Sequence, residues 1–411
     1  MNFDDIVALD KADVLASKRD EFDLPENTIY LDGNSLGALP KAVKTRVAAV
    51  VSDQWGSHLI RSWNDHQWID LPTQVGEKIA PIVGAEKGQV ICCDSISINL
   101  FKLLSSALML NTGRSKVLST QDNFPTDLYM VQGLSDLLGT DLCQLKLVEE
   151  QCIEQNLTDD IAVLLLTQVN FRSGKLLNMQ RLTKLAQQKG ILVIWDLAHS
   201  AGALPVELDK CNVDFAVGCG YKYLNGGPGS PAFLYVAKRH QSTVKQPLSG
   251  WMGHAKPFAF NAHYERPENI NQYLCGTPSV IAMSALDAAL DVWENVKIGD
   301  VRAKSIALAD MFITLVQSHA SLVDLRLCST EDSNQRGSQL AFSHNQAFAI
   351  CQALIEKGVI ADFRAPNILR FGFTPLYTSF EDVWNAVNIL VDVVTTKLYA
   401  EPRFNLPGKV T

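Results

Sequence analysis

Apolar runs alternate with helical periods through the middle of the chain. Four apolar runs predict buried strands, at Ile161–Thr167, 191–196, 213–218 and Ala232–Val236. Between the first two, residues 179–189 have the apolar spacing of a helix that stops at Gly190, a residue suited to a helix C-cap. Alternating strands and helices predict an α/β fold, with a mostly parallel sheet covered by helices on both faces.

The last third of the chain predicts a smaller α+β domain. A helical stretch at 280–317 leads into it, and strand candidates follow at 322–327, Gln339–Ser343 and 369–373. The N-terminal residues mix both patterns. We therefore expect three parts: an N-terminal segment (1–45) that packs on the small domain, a large domain (46–285) and the small C-terminal domain (286–411).

Composition narrows the choice of partners and location. The 411 residues carry a formal net charge of −8, which disfavours nucleic acid and anionic membranes, because both bind a basic face. The nine cysteines have no metal-site spacing, and their odd number suits a reduced protein, so we expect a cytoplasmic location and no metal. The acidic start of the chain lacks the apolar stretch of a signal peptide, and no apolar run approaches the ~20 residues of a membrane span.

The most informative residue is Lys222. It follows the predicted strand 213–218 and lies among the glycines of 218–229, while Asp196 ends the preceding strand and His199 comes just after it. This pattern suits a pyridoxal phosphate enzyme, in which the lysine forms a Schiff base with the cofactor and the acid pairs with the ring nitrogen. The alternatives are a surface lysine in a glycine turn, and an aspartate that caps a helix beside a packed histidine.

Two further segments could contact such a ligand. Ile96 and Ser97 lie at the start of a predicted helix, where free backbone N–H groups can bind a phosphate, although a serine there can also simply cap the helix. Phe124 and Asp127 lie in a turn after a predicted strand, and they could contact a bound ring or only turn the chain.

Tyr221 and Arg370 each allow a functional and a structural interpretation from their sequence surroundings. Tyr221 could donate a proton or bind a phosphate, or it could fill the core. Arg370 lies in an apolar strand pattern, where a charge is usually paired or functional. Its guanidinium suits a substrate α-carboxylate and a structural ion pair equally well.

Taken together, several segments resemble the kynureninase family, which belongs to the fold-type I, class V aminotransferase-like superfamily of pyridoxal phosphate enzymes. The matching segments, in the order of the family, are 30–37, 59–64, 124–127, 196–202, 220–229, 250–251, 336–339 and 370–377. The resemblance implies the fold of that superfamily, pyridoxal 5′-phosphate as cofactor, and a homodimer whose two subunits share each active site.

The resemblance also implies roles for matching residues. Lys222 would bind the cofactor covalently, Asp196 would pair with the ring nitrogen, and Tyr221 would be the acid–base tyrosine near the phosphate. The other implied cofactor contacts are Ile96, Ser97, Phe124, Asp127 and His199, with Trp251 and Thr277 supplied by the partner subunit. The implied substrate contacts are Arg370 for the α-carboxylate, and Asn34, Ser35, Trp63 and Gly276 near the aromatic end.

The activity implied by the resemblance is hydrolysis of L-kynurenine to anthranilate and L-alanine in tryptophan catabolism. Trp63 and Gly276-Thr277 stand where animal-type members carry a histidine and an asparagine, so this chain is similar to the bacterial type, with weaker action expected on 3-hydroxykynurenine. The alternatives are a cysteine desulfurase, which needs a reactive cysteine, an aminotransferase of the same superfamily, and a non-catalytic relative. Cys328 and Cys351 are the cysteines considered for the desulfurase, and neither has a suitable sequence context.

Overall fold

Three β-sheets, of seven, four and two strands, and the helices around them form the fold in the computed structural model, which describes residues 2–406. The strands are β1 (Ile29–Tyr30), β2 (Val90–Cys92), β3 (Lys116–Thr120), β4 (Gln144–Val148), β5 (Ile161–Thr167), β6 (Leu192–Asp196), β7 (Phe215–Cys219), β8 (Ala232–Val236), β9 (Arg326–Leu327), β10 (Gln339–Ser343), β11 (Val359–Ile360), β12 (Asp362–Arg364) and β13 (Ile368–Gly372). The α-helices are α1 (Phe3–Ala12), α2 (Lys41–Ala49), α3 (Ser62–Asp65), α4 (Leu71–Ile79), α5 (Ile96–Leu110), α6 (Pro125–Leu138), α7 (Met179–Gln188), α8 (Lys238–Gln241), α9 (Val280–Ala289), α10 (Ile298–Ser318), α11 (Ala347–Glu356) and α12 (Phe380–Thr395).

The large sheet has seven strands in the order β2-β8-β7-β6-β5-β3-β4. The strands β3 to β7 all run parallel to one another, whereas β8 is antiparallel to its two neighbours, β7 and β2. Helices α6 and α7 lie between parallel strands, whereas residues 197–214 join the parallel strands β6 and β7 without an α-helix. The shorter connection at 220–231 leads from β7 into the antiparallel β8, and it carries Lys222.

Both faces of this sheet are buried. Along β5, Leu164 and Leu166 belong to one hydrophobic core, while Val163 and Leu165 belong to the core on the other face. Successive side chains of a strand point to opposite faces, so a strand buried on both sides has a continuous apolar sequence. This confirms the predicted class, an α/β fold with a mostly parallel sheet between helices.

Two details of the sequence prediction are wrong. The predicted helix at 280–317 is two helices, α9 and α10, because the chain leaves helical conformation at Glu294 and Asn295 has a positive φ of 61°. The predicted strand at 322–327 keeps only β9, since Ala320–Leu322 forms a 3-10 helix. The polar pair Glu294 and Asn295 was a local sign of the first break, since asparagine tolerates a positive φ.

The second sheet is antiparallel, in the order β12-β13-β10-β9, and has its own hydrophobic core with α10, α11 and α12. The N-terminal segment contributes to both cores: Ile6 and Leu31 lie in this one, and Leu15 and Phe22 lie in the core of the large sheet. Strand β1 pairs with β11. The domain boundaries at residues 45 and 285 stay a prediction.

Within residues 2–406, every helix is too short or too polar to span a bilayer. Over the same range, no three His, Cys, Asp or Glu side chains are grouped so that they could hold a metal ion.

Lys304 of α10 gives a test of how the N-terminal segment is held. Its Nζ lies 2.6 Å from Asp13 Oδ2 and donates to the carbonyl oxygen of Pro375 at 2.6 Å, and both charged side chains are largely buried. We expect Asp13→Asn to lower the free energy of unfolding by ~3 kcal/mol, because a buried ammonium loses its counter-charge. The measurement is the denaturant midpoint, with Asp141→Asn, an exposed aspartate, as control. An unchanged midpoint for Asp13→Asn would contradict this.

Candidate active site

The carboxyl ends of three neighbouring parallel strands meet at one edge of the large sheet. They bring together Thr167 from β5, Asp196 from β6 and Cys219 from β7, with Thr167 and Asp196 in register. Ligands of open α/β sheets bind beyond such ends. A cavity of about 180 Å³ lies there. The predicted site residues that line it are Ile96, Ser97, Phe124, Asp127, Asp196, His199, Tyr221 and Lys222.

Lys222 enters this cavity from a tight turn. The N–H of Gly226 donates to the Gly220 carbonyl oxygen at 2.8 Å, and Asn225 has a positive φ of 58°. A Cβ on Gly220 would lie 2.4 Å from Ser230 Oγ, so the turn needs glycine at that position. Burial lowers the pKa of the Lys222 ammonium, against the opposing effect of Asp196. A lysine with a lowered pKa is a better nucleophile toward carbonyl groups.

Asp196 and Asp127 form a buried acidic pair. Burial raises the pKa of Asp127 well above its usual range, and the charge of Asp196 raises it further. Burial also raises the pKa of Asp196, but this carboxylate accepts the Ala198 N–H at 2.7 Å and is stabilised by Lys222. We infer that Asp127 holds a proton and that Asp196 is the charged member of the pair.

His199 is a neutral imidazole in this setting. Burial lowers its pKa well below the ordinary value, and the positive charge of Lys222 adds to this effect. The two side chains are in contact, with 2.9 Å between Lys222 Nζ and His199 Nε2. If Lys222 donates, Nδ1 carries the imidazole proton. Within the described residues, Nδ1 has no hydrogen-bond partner.

The residues present fit a cofactor of three parts. The start of α5, at Ile96 and Ser97, offers backbone N–H groups for an anion. Asp196 offers a carboxylate for a basic ring nitrogen, and Lys222 offers an amine for a carbonyl group. The unpartnered Oδ1 of Asp127 adds a further polar contact in the same cavity.

The predicted substrate residues Asn34, Ser35 and Arg370 form a second cluster beside the cavity. Asn34 Nδ2 donates to Gln339 Oε1 at 3.3 Å, and Arg370 Nη2 donates to Ser35 Oγ at 3.3 Å. Arg370 also donates to the carbonyl oxygen of Phe171, whose residue lines the cavity. The N-terminal loop and the small domain therefore meet the large sheet at this point.

Trp63, Trp251, Gly276 and Thr277 do not line this cavity within the described chain. Trp63 and Trp251 contact each other, with ring centroids 6.2 Å apart, and Gly276 and Thr277 are exposed. Their roles stay a prediction, because Trp251 and Thr277 are expected to act in the site of the partner subunit.

Sequence reasoning missed some residues of the site. Thr167 ends a predicted strand beside Asp196, so the strand-end rule could have found it; it donates to Asp127 at 3.3 Å. Asp362 directly follows an apolar stretch of the sequence, and a single acid in that position could have indicated a site residue. Phe171 packs edge-on against Phe124, with centroids 5.4 Å apart, and its loop carried no signal.

Solved structures of low sequence identity share this fold. A cysteine desulfurase from Thermococcus onnurineus NA1 aligns over 92% of this chain and 98% of its own, with a TM-score of 0.77 and 18% identity. The cysteine desulfurase CsdA from Escherichia coli aligns over 93% and 98%, with a TM-score of 0.75 and 19% identity. These likenesses concern the fold alone, and they confirm the predicted fold class.

Sequence comparisons are more specific. The family model described as the kynureninase C-terminal domain matches residues 301–390. A kynureninase from Pseudomonas fluorescens is 46% identical over 412 aligned residues, covering 99% of each chain. One from Burkholderia pseudomallei (strain 1106a) is 47% identical over 413, again covering 99% of each. With nearly half of all positions identical along almost the whole length of both chains, this protein belongs to the kynureninase family.

Proposed function

We propose that this protein hydrolyses L-kynurenine to anthranilate and L-alanine in tryptophan catabolism, with pyridoxal 5′-phosphate as its cofactor. The observation that carries the proposal is the convergence of Lys222 and Asp196 on one cavity beside a helix N-terminus. Family membership at 46% identity over the whole chain supports the choice of substrate.

The groups of the cavity match the parts of this cofactor. The start of α5 would bind the phosphate, Asp196 would keep the ring nitrogen protonated, and Phe124 would pack on the ring. The cofactor supplies an electron sink for the negative charge that cleavage of the Cβ–Cγ bond leaves on the substrate. An ionised Asp196 is essential for this, because a neutral pyridine takes up negative charge poorly.

Lys222 and Tyr221 would then transfer protons to and from defined atoms of the substrate. Lys222, with its lowered pKa, would take the proton from the substrate's α-carbon and return it later. Burial raises the pKa of Tyr221, so its phenol stays protonated and could donate to the substrate. Its ring centroid lies 5.8 Å from Lys222 Nζ, so both groups can serve one substrate. Water would add to the γ-carbonyl, and Tyr221 is the acid–base group we assign to this end.

Arg370, Asn34 and Ser35 would then orient the substrate. The guanidinium of Arg370 suits the α-carboxylate. Asn34 and Ser35, on the N-terminal loop, adjoin the same cluster and would face the rest of the amino acid.

We propose that the active unit is a homodimer with shared sites. An apolar groove of about 690 Å³ includes Trp55, Trp68, Pro228 and Ile281 and runs close to the Lys222 turn. Trp55 and Ile281, respectively 57% and 42% exposed, lie together in this groove, and a contiguous exposed apolar patch is typical of an interaction surface. Pairing of two copies across this groove would let Trp251 and Thr277 of one subunit reach the cofactor phosphate of the other.

A cytoplasmic location is also part of the proposal. All nine cysteines are free thiols, as in proteins of reducing compartments. The desulfurase alternative has no support from its two candidate thiols, since Cys351 is buried in α11 and Cys328 follows β9, and neither lines the cavity.

Lys222→Ala tests the cofactor site directly. Activity should fall by ~10³-fold or more, because both the covalent anchor and the α-carbon base are lost. The visible absorption of the bound cofactor should also disappear. Lys210→Ala, at an exposed lysine, is the control and should behave as the wild type. A Lys222→Ala protein that remains yellow and active would contradict the assignment.

Mixed dimers test whether sites are shared. Lys222→Ala and Trp251→Ala should each be inactive or nearly so. Co-expressed, they should recover about a quarter of wild-type activity, because random pairing makes half the dimers mixed and each mixed dimer has one intact site. Activity that stays at the sum of the two single variants, or a fully active monomer in sedimentation, would rule out the shared site.

Substrate preference tests the bacterial-type assignment. The indole of Trp63 packs against Trp251 and has only an N–H donor, so it offers no acceptor for a ring hydroxyl. We therefore expect kcat/KM to be higher for kynurenine than for 3-hydroxykynurenine, measured as release of the aromatic amine by fluorescence. A preference for the hydroxylated substrate would show that the place of Trp63 is assigned wrongly.

A further inference from the structure

The donors of Arg370 are mostly occupied by the protein itself. This side chain is 1% exposed, and its Nε donates to Asp362 Oδ1 at 2.7 Å. Nη2 donates to Asp362 Oδ2 and to Ser35 Oγ, and Nη1 donates to the Phe171 carbonyl oxygen. Four of its five N–H groups are therefore used in holding the site together. Arg370 alone offers a substrate carboxylate one remaining N–H, and its charge is balanced by Asp362.

A second guanidinium, that of Arg364, contacts the same carboxylate. Asp362 and Arg364 share a face of β12, and Asp362 stands opposite Arg370 in the register of β12 with β13. Arg364 Nη2 lies 2.7 Å from Asp362 Oδ2. The two arginines thus share one acid, which fixes both guanidinium groups at the edge of the site.

Arg364 has N–H groups that donate to no protein atom within residues 2–406. Its side chain is 41% exposed, and its buried Nε has no hydrogen-bond partner within residues 2–406. Nη1 likewise donates to no protein atom in this range. Buried N–H groups nearly always have a partner, so an unpaired one at the edge of a binding site points to a ligand or water.

The charge and position of this pair suit an anion at the reaction centre. Arg364 and Arg370 against Asp362 leave one positive charge. A further acid that interacts with this group, Asp32, offsets the charge only partly, because burial raises its pKa to about 7. The positive charge of Arg364 is also among the effects that lower the pKa of Lys222, after that of burial, so it lies within electrostatic reach of the cavity.

We propose that Arg364 binds the α-carboxylate of the substrate together with Arg370, and that Asp362 holds the two guanidinium groups in place. This deepens the proposed function and rests on it, since it names a second binding residue for the same amino-acid substrate. The matched alternative is that Arg364 only balances the charge of Asp362.

A comparison of the wild type with Arg364→Gln and Arg364→Lys distinguishes binding of the substrate from simple charge balance. For Arg364→Gln we expect KM for kynurenine to rise about 10- to 100-fold with kcat changed far less, the loss typical of a hydrogen bond between charged groups. Arg364→Lys should recover part of this, because it keeps the charge but not the planar fork. Arg172→Gln, which removes an exposed charge beside Phe171, is the control and should keep the wild-type KM.

Binding of L-alanine and of L-alaninamide, followed by the absorbance of the bound cofactor, gives the decisive comparison. In Arg364→Gln the affinity for L-alanine should fall by the same factor as KM rises, while the affinity for the amide, which has no carboxylate, should stay unchanged. Equal weakening of both, or unchanged alanine binding, would overturn the role of Arg364. This comparison needs no turnover, so a wild-type protein that failed to cleave kynurenine would count against the proposed function and not against Arg364.

Discussion

Lys222, Asp196 and Asp127 are buried around one cavity, so each of them affects the charge of the others. Burial disfavours every charged form there. Asp196 can remain ionised because it accepts a backbone N–H and lies near the lysine, and Asp127 then keeps its proton. The same burial leaves Lys222 a reactive amine. Burial in one cavity thus accounts for the nucleophilic Lys222, the charged Asp196 and the protonated Asp127.

The scaffold brings these groups together from three parts of the chain. Parallel strands deliver Thr167 and Asp196 to the same edge of the sheet, and the return after β7 adds Lys222. The N-terminal loop closes over that return, where the N–H of Gly37 donates to the Tyr221 carbonyl oxygen at 2.8 Å. A Cβ on Gly37 would lie 2.3 Å from the Lys222 carbonyl oxygen, so this close approach requires glycine. The small domain completes the site with the arginines around Asp362.

How much could be predicted from sequence depends on how local the signal is. The strand ends and the glycine turn are local, so Asp196 and Lys222 could be predicted from their own neighbours. The pairing of Asp362 with Arg370 depends on the register of two strands, which apolar alternation does not fix. The break between α9 and α10 falls at Glu294 and Asn295, and this polar pair is a weaker signal than the helical spacing on either side of it. The role of Trp251 depends on a second copy of the chain, so neither the sequence pattern nor one chain can test it.

The most direct test is to find which lysine carries the cofactor. Borohydride reduction of the holoenzyme converts a lysine–cofactor imine into a stable amine, and proteolysis with mass spectrometry then locates the added mass. The convergence of Lys222 and Asp196 predicts one modified peptide, the one that contains Lys222. Label on a different lysine, or an active enzyme with no label, would contradict it.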